Sequence, residues 1–125
     1  MRKIRATVPR VALILRKSYG GAYIVMDSRH IGNDLMLAWP SAEVAVMGAK
    51  GAVEILHRGA DAEERVQLEA DYEAQFLTPY PTAERGSISD VIPPLETRRR
   101  LAAAFGLLAT KRERLPKRRH DNTPL

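Results

Sequence analysis

Val11-Ala12-Leu13-Ile14-Leu15 is an unbroken apolar run of strand formers, and so short a run without alternation predicts a strand buried on both faces, parallel or fully covered. Arg16-Lys17-Ser18-Tyr19-Gly20-Gly21 follows as a polar turn closing on two glycines, after which Ala22, Tyr23, Val25 and Met26 suit a buried helix. Leu35-Met36-Leu37-Ala38-Trp39 predicts a second strand stopped by Pro40, and Glu43 to Met47 alternates polar with apolar as far as Gly48. Ala49, Ala52, Val53 and Leu56 then recur at the spacing of a helix with one apolar face. Asp61 and Glu64 stand as a capping box at the start of a long acidic helix, with Leu68, Tyr72 and Phe76 as its inner stripe and Glu63, Glu69 and Glu73 solvated. Thr78-Pro79-Tyr80-Pro81 stops that helix, and Ser87 to Ile92 is a short extended piece. Pro93-Pro94 opens a last helix, Leu101, Phe105 and Leu108 inward and Arg98 to Arg100 outward. Alternating strands and helices over 125 residues, with no internal repeat, predict one α/β unit.

Composition narrows the chemistry. The absence of cysteine removes disulfide scaffolds, thiolate metal sites and cysteine nucleophiles, and three widely spaced histidines give no metal cluster. The apolar run at Val11 to Leu15 falls far short of the roughly 20 residues a membrane span needs, and it lacks the cleavage site of a secretory signal. An intracellular, cytoplasmic chain without membrane contact is expected.

The net charge of +5 invites a nucleic-acid reading, so its distribution matters. Residues 95 to 125 hold nine Lys/Arg against three Asp/Glu, whereas residues 1 to 94 hold eleven against twelve, so the whole excess lies at the C-terminal end. The basic tail from about 113 to 125 carries no interleaved aromatics for base stacking, and no nucleic-acid partner is expected. Six Lys/Arg precede the first acid, Asp27, a pattern shared with transit peptides. A removable segment should not run directly into core, so these residues read as part of the folded unit.

Gly20-Gly21, delivered by a strand into a helix, places unpaired backbone N–H groups at a helix N-terminus that also favours negative charge. Two glycines allow unusual dihedrals and let a carbonyl approach without meeting a Cβ. Such a turn serves either as tight-turn geometry alone or as an oxyanion hole.

The surrounding text selects between these. Arg16-Lys17-Ser18-Tyr19-Gly20-Gly21-Ala22-Tyr23-Ile24-Val25-Met26, Ala38-Trp39-Pro40-Ser41-Ala42-Glu43, Met47-Gly48-Ala49-Lys50-Gly51-Ala52-Val53, Ala83-Glu84-Arg85-Gly86, Asp90-Val91-Ile92 and Thr97-Arg98-Arg99-Arg100-Leu101 occur in that order. Together they resemble the C-terminal part of the carboxyltransferase β chain of biotin-dependent acyl-CoA carboxylases, from about Ala6 to the His120, Asn122, Pro124 and Leu125 ending. The resemblance implies a partial crotonase-like fold, the second half of a C-terminal carboxyltransferase domain. It implies carboxyl transfer from carboxybiotin, borne on a separate carrier protein or domain, to the α-carbon of a short-chain acyl-CoA, propionyl-CoA or acetyl-CoA.

By family position Gly21 and Ala22 are the catalytic N–H donors of one of two oxyanion holes; which oxyanion they serve, enolate or biotin ureido oxygen, stays open at this stage. Gly20, Tyr23 and Ile24 are the substrate-binding residues the resemblance implies, Ile24 standing by the acyl pocket where propionyl-selective members often carry Asp. No metal is implied. The implied partners are acyl-CoA, the biotin carboxylase/biotin carrier α subunit, the N-terminal carboxyltransferase part absent from this sequence, and further copies in a homo-oligomer, a hexamer in the family. Met1 to Arg5 depart from the family's lead-in, so the chain reads as a truncated segment, and an inactive fragment acting only in assembly is the alternative. Glu43 and His57 are acid/base candidates, against a helix-capping role for His57 and the family's lack of need for a protein base. Trp39 reads as core or interface, and Lys50 as a solvated residue or a CoA-phosphate contact.

Overall fold

β1 (Val11–Ile14) pairs in parallel with β3 (Leu35–Ala38), Val11 opposite Leu35 and Ile14 opposite Ala38, and β3 pairs in parallel with β5 (Asp90–Val91). A second parallel ladder joins β2 (Lys17–Tyr19) to β4 (Glu43–Ala45), Lys17 opposite Glu43. These elements belong to a computed structural model that describes residues 7–113. Met1 to Arg5 and the basic tail beyond Glu113, with His120, Asn122, Pro124 and Leu125, lie outside the described residues.

The core lies where the two ladders meet. Ile14, Met36 and Ala38 of the first sheet, Ala42 and Val44 around β4, and Ile88 ahead of β5 are buried together, with Ala12, Tyr23, Ala83 and Val91 packed around them. α2 (Ala49–Leu56) buries Ala49, Ala52 and Val53 and packs against α3 (Ala62–Phe76). Asp61 caps α3 as its spacing predicts, its Oδ1 accepting the Glu64 N–H at 2.8 Å. α5 (Thr97–Leu107) buries Ala104, and Trp39 Nε1–H donates to Thr97 Oγ1 at 2.9 Å, tying the end of β3 to the start of that helix.

Several expectations change. β1 is parallel as expected, but of its residues only Ile14 is buried, and Leu15 lies half-exposed beyond it. The cause is its place at an edge of the β1-β3-β5 sheet, with one strand neighbour among the described residues. Lys17 to Tyr19 form a strand rather than a turn, which three residues without periodicity could not announce. α1 (Gly20–Val25) is not a buried helix: Val25 is 61% and Met26 68% exposed, because no described element packs on that side. Leu56, Phe76 and Phe105 stay exposed, while Leu101, Leu108, Leu68 and Tyr72 are half-buried. Where only a stop was expected, α4 (Tyr80–Glu84) forms, begun by Pro79 and Pro81, whose fixed φ suits a first helical turn.

Candidate functional site

β2 delivers the chain to the turn with Tyr19 still extended, at φ −114° and ψ 140°, and Gly20 then takes φ +57°, a left-handed conformation that side chains rarely adopt. A Cβ on Gly20 would also stand 3.0 Å from the Val46 carbonyl oxygen, whereas one on Gly21 would meet nothing within 4 Å. The two glycines therefore differ: Gly20 makes the turn, and Gly21 leaves open, exposed space beside the backbone. The first N–H groups of α1 have no partner within the helix, as in any first turn.

A cavity of about 460 Å³ lies against this turn, and Gly20, Gly21, Tyr23 and Ile24 line it. Val44 to Val46 contribute β4 and the residue after it; His30, Thr82, Arg85 and Ser87 supply the polar lining. Four of the residues the sequence singles out thus meet on one cavity. Ala22 instead lines the neighbouring cavity, of about 310 Å³, with Lys17, Ser18 and Met26. Ile24 is 45% exposed, a wall residue rather than core. Tyr23 is half-buried, its ring edge-on to His30 at 6.2 Å, and burial raises its hydroxyl pKa above the ordinary value, with Ser87 opposing the shift.

Glu43 is engaged elsewhere. Tyr19 Oη–H donates to Glu43 Oε2, and Lys17 Nζ lies 3.8 Å from the same oxygen and 5.9 Å from the centre of the Tyr19 ring. Burial, then the bond to Glu43 and the charges of Glu43 and Glu73, push the Tyr19 hydroxyl up to about 12. Glu43 is on the β2-β4 ladder and does not line the Gly20-Gly21 cavity. His57 follows α2 as its C-terminal cap residue, its backbone N–H donating to Val53 O at 2.8 Å, and its side chain is exposed. Lys50 is exposed.

Sequence reasoning missed a polar brace beneath α1. Asp27, at φ +75°, accepts from Arg10 Nη1 at 2.8 Å and Asn33 Nδ2 at 3.0 Å, and Arg10 also donates to the Gly32 carbonyl. Asp34 accepts the Arg10 backbone N–H at 2.8 Å and Lys111 Nζ at 2.8 and 3.0 Å. Burial works against the Asp34 carboxylate, yet the bonds from Lys111 and Arg10 hold it below its ordinary value. The bonds of this brace join residues 6 to 77 positions apart in sequence, so no local motif marked them. His30, Thr82, Arg85 and Ser87 were missed for the same reason, although Arg85 belongs to the family-like segment Ala83-Glu84-Arg85-Gly86. Among the described residues no group of three or more His, Asp or Glu is arranged to hold a metal, and no helix is long and apolar enough to cross a membrane.

Residues 3–123 match the carboxyl transferase domain family. The propionyl-CoA carboxylase β chain of Roseobacter denitrificans is 54% identical over 122 residues, 96% of this chain and 24% of that one. The mitochondrial propionyl-CoA carboxylase β chain of Homo sapiens is 50% identical over 120 residues, 96% of this chain and 22% of that one. Among solved structures, the transcarboxylase 12S hexamer with methylmalonyl-coenzyme A and methylmalonic acid bound is similar at a TM-score of 0.90 and 45% identity, over 98% of this chain and 24% of that one. The α/β architecture described above is therefore that of part of a crotonase-like carboxyltransferase. The chain spans about a quarter of the length of these relatives.

Proposed function

The chain belongs to the carboxyl transferase domain family, and on that premise we propose that it forms part of a carboxyltransferase moving a carboxyl group from carboxybiotin to the α-carbon of a short-chain acyl-CoA, propionyl-CoA or acetyl-CoA. The observation that carries this reading is the meeting of Gly20, Gly21, Tyr23 and Ile24 on one cavity. Its volume of about 460 Å³ suits a small-molecule group. The proposed domain assignment is the C-terminal part of a carboxyltransferase C-terminal domain, cytoplasmic, in a homo-oligomer of the kind named for transcarboxylase 12S.

The reaction develops negative charge on an oxygen, and Gly21 and Ala22 are the proposed donors, backbone N–H groups that carry no titrating proton and need no reorganisation. Gly20 sets their direction through its left-handed turn, and the open space at Gly21 admits the oxygen. That opening fits the ureido carbonyl of biotin as well as a thioester. When bound, carboxybiotin supplies the carboxyl group and, once relieved of it, a base for the α-proton. Tyr23 and Ile24 bound the acyl side. The remaining catalytic surface is proposed to come from an N-terminal carboxyltransferase part, and the carboxybiotin from a biotin carboxylase/biotin carrier α subunit.

Assembly of the chain with those partners and measurement of labelled carboxyl transferred to propionyl-CoA and acetyl-CoA tests the reading. Transfer that depends on this chain is expected. Full assembly without transfer would leave only the role of an inactive structural segment.

A further inference from the structure

We propose that Arg85 recognises the carboxylate of the group being transferred, on the cavity that the Gly20-Gly21 turn also lines; this rests on the carboxyltransferase reading and adds to it the cation that reads the carboxyl group. Arg85 is the single Lys or Arg among the residues that line this cavity, and no Asp or Glu lines it. Its side chain makes no hydrogen bond or ion pair among the described residues. Arg16, Arg58 and Arg98 also have no side-chain partner among the described residues, but none of them lines this cavity.

Its placement is fixed by the backbone. Arg85 caps α4, its N–H donating to Pro81 O at 3.4 Å, and Gly86 at φ +76° turns the chain so that Ser87 comes back onto the same cavity. Ser87 N donates in turn to Thr82 O at 3.1 Å, closing the corner. Arg85, itself exposed, therefore stands at a tight corner of the chain, with Thr82 and Ser87 lining the same cavity.

A guanidinium without a counter-ion among the described residues, on a cavity otherwise lined by neutral groups and one histidine, attracts an anion. Its planar fork matches a carboxylate with two parallel bonds. One cation balances one carboxylate, whereas the phosphates of CoA carry several charges. With Arg85 and Gly21 lining the same cavity, the carboxylate would be held by one while the backbone donors take the developing oxyanion, so recognition and charge stabilisation come from different elements.

The test uses the 125-residue chain itself, with phenylglyoxal labelling of Arg85 followed by peptide mass spectrometry and the exposed, off-cavity Arg58 as the reference. Three probes separate the sources of negative charge: methylmalonyl-pantetheine has a carboxylate and no phosphate, CoA has phosphates and no carboxylate, and propionyl-pantetheine has neither. Severalfold slower labelling of Arg85 with methylmalonyl-pantetheine alone is the expected result. Protection by CoA alone would reassign Arg85 to phosphate binding, and equal labelling with all three would make it an ordinary surface residue; either overturns the proposal. In the assembled enzyme, Arg85→Gln should raise KM for the carboxylated thioester about tenfold, several times more than for the uncarboxylated one, with Arg85→Lys recovering part of the loss; equal rises for both would overturn the proposal. Absence of carboxyl transfer by the wild-type assembly would sink the functional reading, while the labelling result would still decide whether Arg85 reads a carboxylate.

Discussion

The backbone of Gly20 passes so close to Val46 that a Cβ there would stand 3.0 Å from the Val46 carbonyl oxygen, while the adjacent Gly21 has nothing within 4 Å. Gly20 also sits at φ +57°, where a side chain costs roughly 1–2 kcal/mol. Gly20→Ala is therefore expected to destabilise the chain by at least that amount, and Gly21→Ala to change stability by less than about 1 kcal/mol. Gly21→Val should keep folding and assembly but block the approach of an oxygen to the N–H groups, abolishing transfer in the assembled enzyme. Chemical denaturation of the three variants, with turnover of the assembled Gly21→Val protein, checks the separation; retained turnover would remove Gly21 and Ala22 from the chemistry.

Ile24 stands on the wall of the same cavity, partly open to solvent. An apolar wall accepts a longer acyl chain, whereas a carboxylate there keeps water that the longer chain must displace. Ile24→Asp is expected to lower kcat/KM for butyryl-CoA relative to acetyl- and propionyl-CoA, within the roughly 1–3 kcal/mol that one methylene is worth in an apolar pocket. The measurement is the ratio across the three substrates in the assembled enzyme. Unchanged ratios would place the acyl-selecting wall elsewhere.

The parts of this fold legible in the sequence are those fixed by local chemistry. Asp61 caps α3 through a bond three residues away, Pro40 lies beyond the end of β3, and the spacing of Ala49, Ala52 and Val53 gives the buried side of α2. Leu56 shares that spacing but is exposed, because periodicity tells which side of a helix is apolar and not how far its neighbour extends. Lys17 to Tyr19 gain strand structure only by pairing with Glu43 to Ala45, a partner too remote for a three-residue pattern to reveal. The site divides in the same way: the glycine turn is local and was visible, whereas His30 and Arg85 reach the cavity through tertiary folding.

Tyr19 and Glu43 give a titration to follow. The Tyr19 hydroxyl is pushed up to about 12 from its ordinary 10.0, so the folded chain holds this proton more tightly than the unfolded one. The associated stability is complete below pH 10 and is lost as the pH rises from there through about 12. Glu43→Gln removes the nearest negative charge and should bring the Tyr19 titration down toward 10. Ultraviolet tyrosinate titration of both proteins, with Tyr19→Phe subtracted to isolate this residue among the four tyrosines, reads the shift. An unchanged titration after Glu43→Gln would assign the shift to burial alone.

The remaining prediction concerns association. Val25 at the end of α1, Met26 just after it and Val46 after β4 are exposed by 61%, 68% and 80%, and β1 has one strand neighbour among the described residues. Apolar surface of this extent seeks cover, and an edge strand offers unpaired N–H and C=O groups to another chain. The purified 125-residue chain is therefore expected to self-associate as its concentration rises. Met26→Glu with Val25→Lys should reduce that association without unfolding the chain, because neither side chain contributes to the buried core around Ile14 and Val44. Sedimentation velocity over a concentration series, with circular dichroism on the double variant, reads both effects. A wild-type chain that sediments as a monomer throughout and melts sharply and reversibly would show that these exposed residues are ordinary surface and that the edge of β1 needs no partner.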